Sequence, residues 1–99
     1  MRMLLKVSIP VAEGNRAIKD GSLPKIIEKL LGRLQPEAAY FTLESGNRTA
    51  FIVFDLKDTT AMPAIAEPLF MGFNATMDMT PVMNVEDMRT GLKVMLEAM

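Results

Sequence analysis

Glu44, Asp78 and Glu67 are the carboxylates of this 99-residue chain best placed for acid or base chemistry, because each stands close to apolar residues. Burial beside such residues raises a carboxyl toward the range useful for proton transfer. Lys6 would orient an anionic substrate or, in the plainer alternative, pair with Glu44 or Asp78. Tyr40 would hold a substrate oxygen or stack on a ring; its ordinary role is to pack its ring and wet its hydroxyl. Asn15 and Arg16, followed by Asp20-Gly21, lie in an irregular stretch where the mouth of a pocket can be built. Glu67, beside Pro68, points either into a crevice or, as acids on amphipathic helices usually do, into water.

The missing residue types bound the chemistry further. The chain has no Cys and no His, which excludes thiol nucleophiles, disulfides, zinc-thiolate sites and imidazole bases. Ten Met residues would suit a soft metal, but their spacing indicates packing. Met77 and Met79 alternate along one strand face, and Met88, Met95 and Met99 follow a helical stripe. No calcium-loop or phosphate-loop spacing occurs, so neither a metal nor a cofactor is expected.

Eleven basic and twelve acidic residues leave a formal charge of −1, without the basic stripe that a phosphate backbone requires. No nucleic-acid partner is expected, although Phe51 and Tyr40 on an open sheet would be the residues to stack bases. The start of the chain, Met1 to Lys6, is broken by charge, and no run approaches the roughly 18 apolar residues of a membrane span. A cytoplasmic protein without a membrane partner is the expectation. A hydrophobic content of 49% supports one domain over residues 1–99. With disulfides and metals closed off, association with a second copy is the reinforcement left to so short a chain.

The elements that must position these residues follow from periodicity. Met3, Leu5, Val7 and Ile9 alternate with Arg2, Leu4, Lys6 and Ser8, a strand ended by Pro10. Residues 11–19 form a short helix, and Ser22 can cap a second, with Pro24 in its first turn and Gln35-Pro36 as its stop. Ala38 to Glu44 is a second strand, Ser45 to Arg48 a hairpin loop, and Thr49 to Leu56 a third strand, apolar on both faces and therefore central. Asp58-Thr59-Thr60 opens another helix, in which Pro68 predicts a kink or an early end. Phe73 to Met83 reads as the fourth strand. Asn84 and Asp87 resemble a capping box for a last helix, whose stripe of Val85, Met88, Leu92, Met95 and Met99 predicts a packed element.

The order β-α-β-β-α-β with right-handed crossovers predicts an α+β sandwich with sheet order 4-1-3-2, both main helices on one side and a C-terminal helix added. The helix side would receive Met3, Leu5, Val7, Ala39, Phe41, Leu43, Ile52, Phe54, Met77 and Met79. The other side would carry Leu4, Lys6, Phe51 and Val53 at its centre, with Tyr40, Thr42, Glu44, Thr76, Asp78 and Thr80 toward the edges.

This arrangement resembles the ferredoxin-like fold and, more narrowly, the dimeric α+β barrel superfamily. The strings Pro36-Glu37-Ala38-Ala39-Tyr40-Phe41, Ala66-Glu67-Pro68-Leu69-Phe70 and Asn74-Ala75 through Pro81-Val82-Met83 are similar to those of a small bacterial family within it. The resemblance implies two sheets closing face to face in a homodimer, with Leu4, Phe51, Val53, Thr42 and Thr76 at the seam. A small-molecule pocket between the sheets would draw on Lys6, Tyr40, Glu44 and Asp78. It also admits a cofactor-independent isomerase or monooxygenase, though the His-containing sites of such relatives have no counterpart here. A dimer that is an interaction or assembly module without ligand is the alternative.

Overall fold

Alternation along Arg2–Ile9 (β1) buries one side of the strand completely: Met3, Leu5, Val7 and Ile9 are at most 6% exposed, while their neighbours are half-buried. The computed structural model, which describes residues 1–99, continues through α1 (Val11–Lys19), α2 (Ser22–Leu34), β2 (Ala38–Glu44) and β3 (Asn47–Asp55). A 3-10 turn (Thr59–Ala61) leads into α3 (Met62–Phe73), β4 (Thr76–Pro81) and α4 (Val85–Ala98). The strands form one antiparallel sheet in the order β2-β3-β1-β4, which counted from the β4 edge is 4-1-3-2. The result is an α+β protein compatible with the ferredoxin-like arrangement.

Helices cover one face only. Leu30 and Leu34 of α2 and Ile65, Leu69 and Phe73 of α3 close on Leu5, Val7, Ile52 and Phe54, and Ala17 of α1 completes this layer. Two arginines tie α1 in place. Arg48 of β3 lies across Gly14 and donates to Asn15 Oδ1 at 3.0 Å; a Cβ at Gly14 would meet its guanidinium. Arg16 donates to the Gly72 carbonyl at 2.6 Å, near the end of α3.

Four expectations are corrected. The hairpin has a two-residue turn, Ser45-Gly46, with φ of 52° and 80°, and not a four-residue loop. Positive φ at both positions matches the twist of the flanking strands, so Asn47 and Arg48 already pair within β3. Pro68 does not end its helix, which continues to Phe73. Interior proline costs about 3 kcal/mol, but burying three large side chains at about 1.5–3 kcal/mol each outweighs it. Ile65, Leu69 and Phe73, spaced four apart, are at most 3% exposed, and Pro68, beside Ile65 on the helix surface, is exposed.

The same spacing explains the third correction: Phe73 is the last buried residue of α3, and β4 begins only at Thr76. Between them Asn74, with φ of 49°, caps the helix, a backbone conformation that asparagine tolerates. The fourth concerns α4. Its capping box forms, with Asn84 Oδ1 accepting from the Asp87 amide and Asp87 Oδ2 accepting from the Asn84 amide. Nonetheless no residue of α4 is buried, and the molecule extends to 56 Å in its long dimension. Propensity and capping make this helix; nothing in its own chain packs against its apolar stripe.

Replacing Pro68 by Ala should therefore stabilise the protein. Removing the cost of an interior proline, less the lost restriction of the unfolded chain, amounts to about 2–2.5 kcal/mol. The urea midpoint should rise with an unchanged m-value; a lower midpoint would contradict an uninterrupted α3.

Candidate functional site

Strand register sets the open face of the sheet into rows. Tyr40, Phe51, Lys6 and Asp78 lie side by side across β2, β3, β1 and β4; Thr42, Thr49, Ser8 and Thr76 form the next row. Ala38, Val53, Leu4 and Thr80 form the row on the other side. Phe51, Val53 and Leu4 are half-buried at the centre, whereas Tyr40 is 69% exposed and Asp78, Thr42 and Thr76 are exposed at the edges.

Lys6 reaches diagonally from β1 over β3 and donates from Nζ to Glu44 Oε1 at 2.9 Å. Its ammonium stands 5.9 Å from the centre of the Phe51 ring, within cation–π range. Thr49 lies beneath this bridge, which accounts for a threonine only 3% exposed on an otherwise open face. Its Oγ1 donates to the Asn47 carbonyl at 3.1 Å. Around the bridge is a polar hollow of about 160 Å³, lined by Lys6, Ser8, Glu44, Thr49, Thr76 and Asp78, with Ser45 at its rim. Glu44 Oε2 is buried and has no hydrogen-bond partner. A buried carboxylate oxygen without a donor is costly, so this atom marks where a ligand or a neighbouring chain would supply one.

The structure thus brings Lys6, Glu44 and Asp78 into one hollow and sets Tyr40 beside it in the Lys6 row. The other candidates lie elsewhere. Glu67 is exposed on α3, in the helix layer. Asn15 and Arg16 belong to α1, where Asn15 accepts from Arg48 and Arg16 is bonded to Glu13, Asp20 and Gly72. Ser8, Ser45 and Thr49 are hollow residues that the candidate set omits. Ser8 shares the alternating face of Lys6 and was legible from that pattern; Thr49 and Ser45 follow only once the hairpin register is known. No group of three or more His, Cys, Asp or Glu side chains comes together to hold a metal.

The electrostatic anchors lie at the other end of this face. Arg2 donates from Nε to Glu37 Oε1 at 2.6 Å and from Nη1 to Asp87. The Glu37 hydrogen bond chiefly, with Asp87 adding to it, pushes the guanidinium above its ordinary value. Arg2 thereby joins the start of β2 to the first turn of α4.

A larger hollow opens on the helix side, where the layer stops short of the β2 edge. Phe41 and Leu43, expected in the core, are 57% and 77% exposed. Together with Leu23 and Ile27 of α2 they line a groove of about 610 Å³ whose charged members are Glu28 and Arg48. The shortfall is geometric: α1, α2 and α3 close over the centre of the sheet and leave Phe41 and Leu43 of the edge strand uncovered.

No protein family matches the chain, and no curated protein matches it either. No helix is long and apolar enough to cross a membrane.

The Lys6–Glu44 bridge is partly exposed, at 35% and 42% of the two side chains, so its worth is modest. A double-mutant cycle with Lys6→Met and Glu44→Gln should give a coupling of about 0.5–1 kcal/mol in urea unfolding at neutral pH. A coupling of zero would mean the two side chains do not meet in solution.

Proposed function

We propose that the protein acts as a homodimer of the dimeric α+β barrel type, in which two open sheet faces meet and enclose a site for a small, donor-rich molecule. The observation that carries this reading is Glu44 Oε2, buried and without a donor in a polar hollow on a face that no helix covers. Half-buried Phe51, Val53 and Leu4 at the centre of that face support a second copy as its cover, since a contiguous apolar sheet centre gains by leaving water. Size supports the same view. One hollow of about 160 Å³ falls below the roughly 300–1,000 Å³ usual for a ligand pocket, while two facing each other reach the lower end.

The charge of the hollow defines the ligand class. Lys6 already satisfies one oxygen of Glu44, and Asp78 adds a second carboxylate in the Lys6 row. Two acids against one ammonium favour a small amine or polyhydroxy compound that donates hydrogen bonds; an organic anion fits less well. Phe51 and Tyr40 offer a ring face beside the donors' position, the usual mixture of apolar wall and few polar anchors.

Native mass spectrometry of the wild type should give twice the mass of one chain, and Phe51→Lys should give the monomer mass, because a lysine at the seam buries an unpaired charge. A monomeric wild type, or a dimer indifferent to Phe51→Lys, would overturn the assembly. Small amines and polyols should raise the melting temperature of the wild type and leave Glu44→Gln unmoved. If none does, the protein is a ligand-free assembly module.

A further inference from the structure

The groove between α2 and β2 is built by one chain, on the helix side of the sheet and away from the open face. We propose that it is a second ligand site, for a small aliphatic carboxylate whose chain lies along the groove and whose head bonds to Arg48. This goes beyond the function proposed above and does not depend on it, because a single copy forms the whole site.

The groove follows from how α2 meets the sheet. The fully buried residues of α2, Leu30 and Leu34, both belong to its second half, and Ser22 to Glu28 bury none. Leu23 and Ile27, about one turn apart, therefore stand over open space. Beneath them are two cross-strand rows of the sheet, Phe41-Ala50-Val7 and Leu43-Arg48-Ile9. Residues paired across strands share a face, so Arg48 is set among apolar side chains and is the one charged member of either row. At about 610 Å³ the groove has the size of a small-molecule site, roughly 300–1,000 Å³. Apolar walls with one placed polar group are also the usual make-up of such a site.

Arg48 sets the sign of the head group. The residue is half-buried, lies across Gly14 and makes no ion pair in its own chain. Its contacts are neutral acceptors, Asn15 Oδ1 from Nη2 at 3.0 Å and, more loosely, the Val11 carbonyl from Nη1 at 3.5 Å. Of the five N–H donors of a guanidinium these use two, which leaves three. A cation partly withdrawn from water gains from an acid, and a carboxylate matches the fork of the guanidinium. The other charge of the groove, Glu28, is exposed on α2, where water already solvates it. An amine would find only that solvated acid; a carboxylate meets the half-buried cation. The preference is opposite to that of the sheet-face hollow, where Glu44 and Asp78 stand against Lys6.

The test is a methyl NMR titration of the full chain with decanoate, decanol and decylamine, which share an alkyl chain and differ in head group. Decanoate should shift the methyl resonances of Leu23, Ile27 and Leu43 saturably. It should bind at least about tenfold more tightly than either other probe, the discrimination that one charged hydrogen bond confers. Arg48→Gln, which removes the charge, should lower the affinity for decanoate to that for decanol and leave decanol unmoved. Because Arg48 also holds α1, Leu43→Glu is the second variant. It changes a side chain that is 77% exposed and puts a carboxylate beside Arg48, so decanoate should bind at least about tenfold more weakly with the melting temperature unchanged. Absence of saturable shifts, decanol or decylamine bound as tightly as decanoate, or shifts confined to Leu4 and Val53 on the open face would each overturn the site. Groove resonances that move with protein concentration and not with decanoate would overturn it too, since a second copy then fills the groove.

Discussion

Coverage of the sheet from one side is the constraint on which everything else depends. β1 and β3 lie at the centre of the sheet, and their buried residues, with Leu5 and Ile52 at 0% exposure, require a roof of helices. α2 and α3 supply it through Leu30, Leu34, Ile65, Leu69 and Phe73. A βαββαβ order puts both crossover helices on the same side, so the opposite face has no roof of its own. The price of a complete core on one side is an open face on the other and an uncovered edge at β2.

That open face is not simply a wetted surface. Its rows place an aromatic and aliphatic centre next to a polar hollow, and the Lys6–Glu44 bridge shields Thr49 while leaving one oxygen of Glu44 without a donor. A buried carboxylate oxygen held this way carries a desolvation cost that no donor of its own chain offsets. In the proposed dimer the apolar centre supplies association, and the hollow supplies selectivity for hydrogen-bond donors.

The uncovered edge and the free helix are a second consequence of the same shortage. α4 is sound as a helix, with its capping box and with Glu86 and Asp87 in its first turn, where carboxylates complement the helix dipole. Arg2 fixes where it starts, through Glu37 on one side and Asp87 on the other. What it lacks is an apolar surface to lie on, and what β2 lacks is a helix over Phe41 and Leu43.

The sequence by itself determined what depends on near neighbours. Alternation in Arg2–Ile9 marked the buried face of β1, the Asn84/Asp87 pair marked the start of α4, and the shared face of Lys6, Glu44 and Asp78 followed from strand order and parity. Three-dimensional packing decided what depends on competition between distant surfaces. Pro68 inside α3, the transfer of Phe73 from strand to helix, the exposure of Phe41 and Leu43 and the bare stripe of α4 all follow from which apolar groups reach the one available core. Periodicity shows that a residue has an apolar side; only the space left between packed elements determines whether that side finds cover.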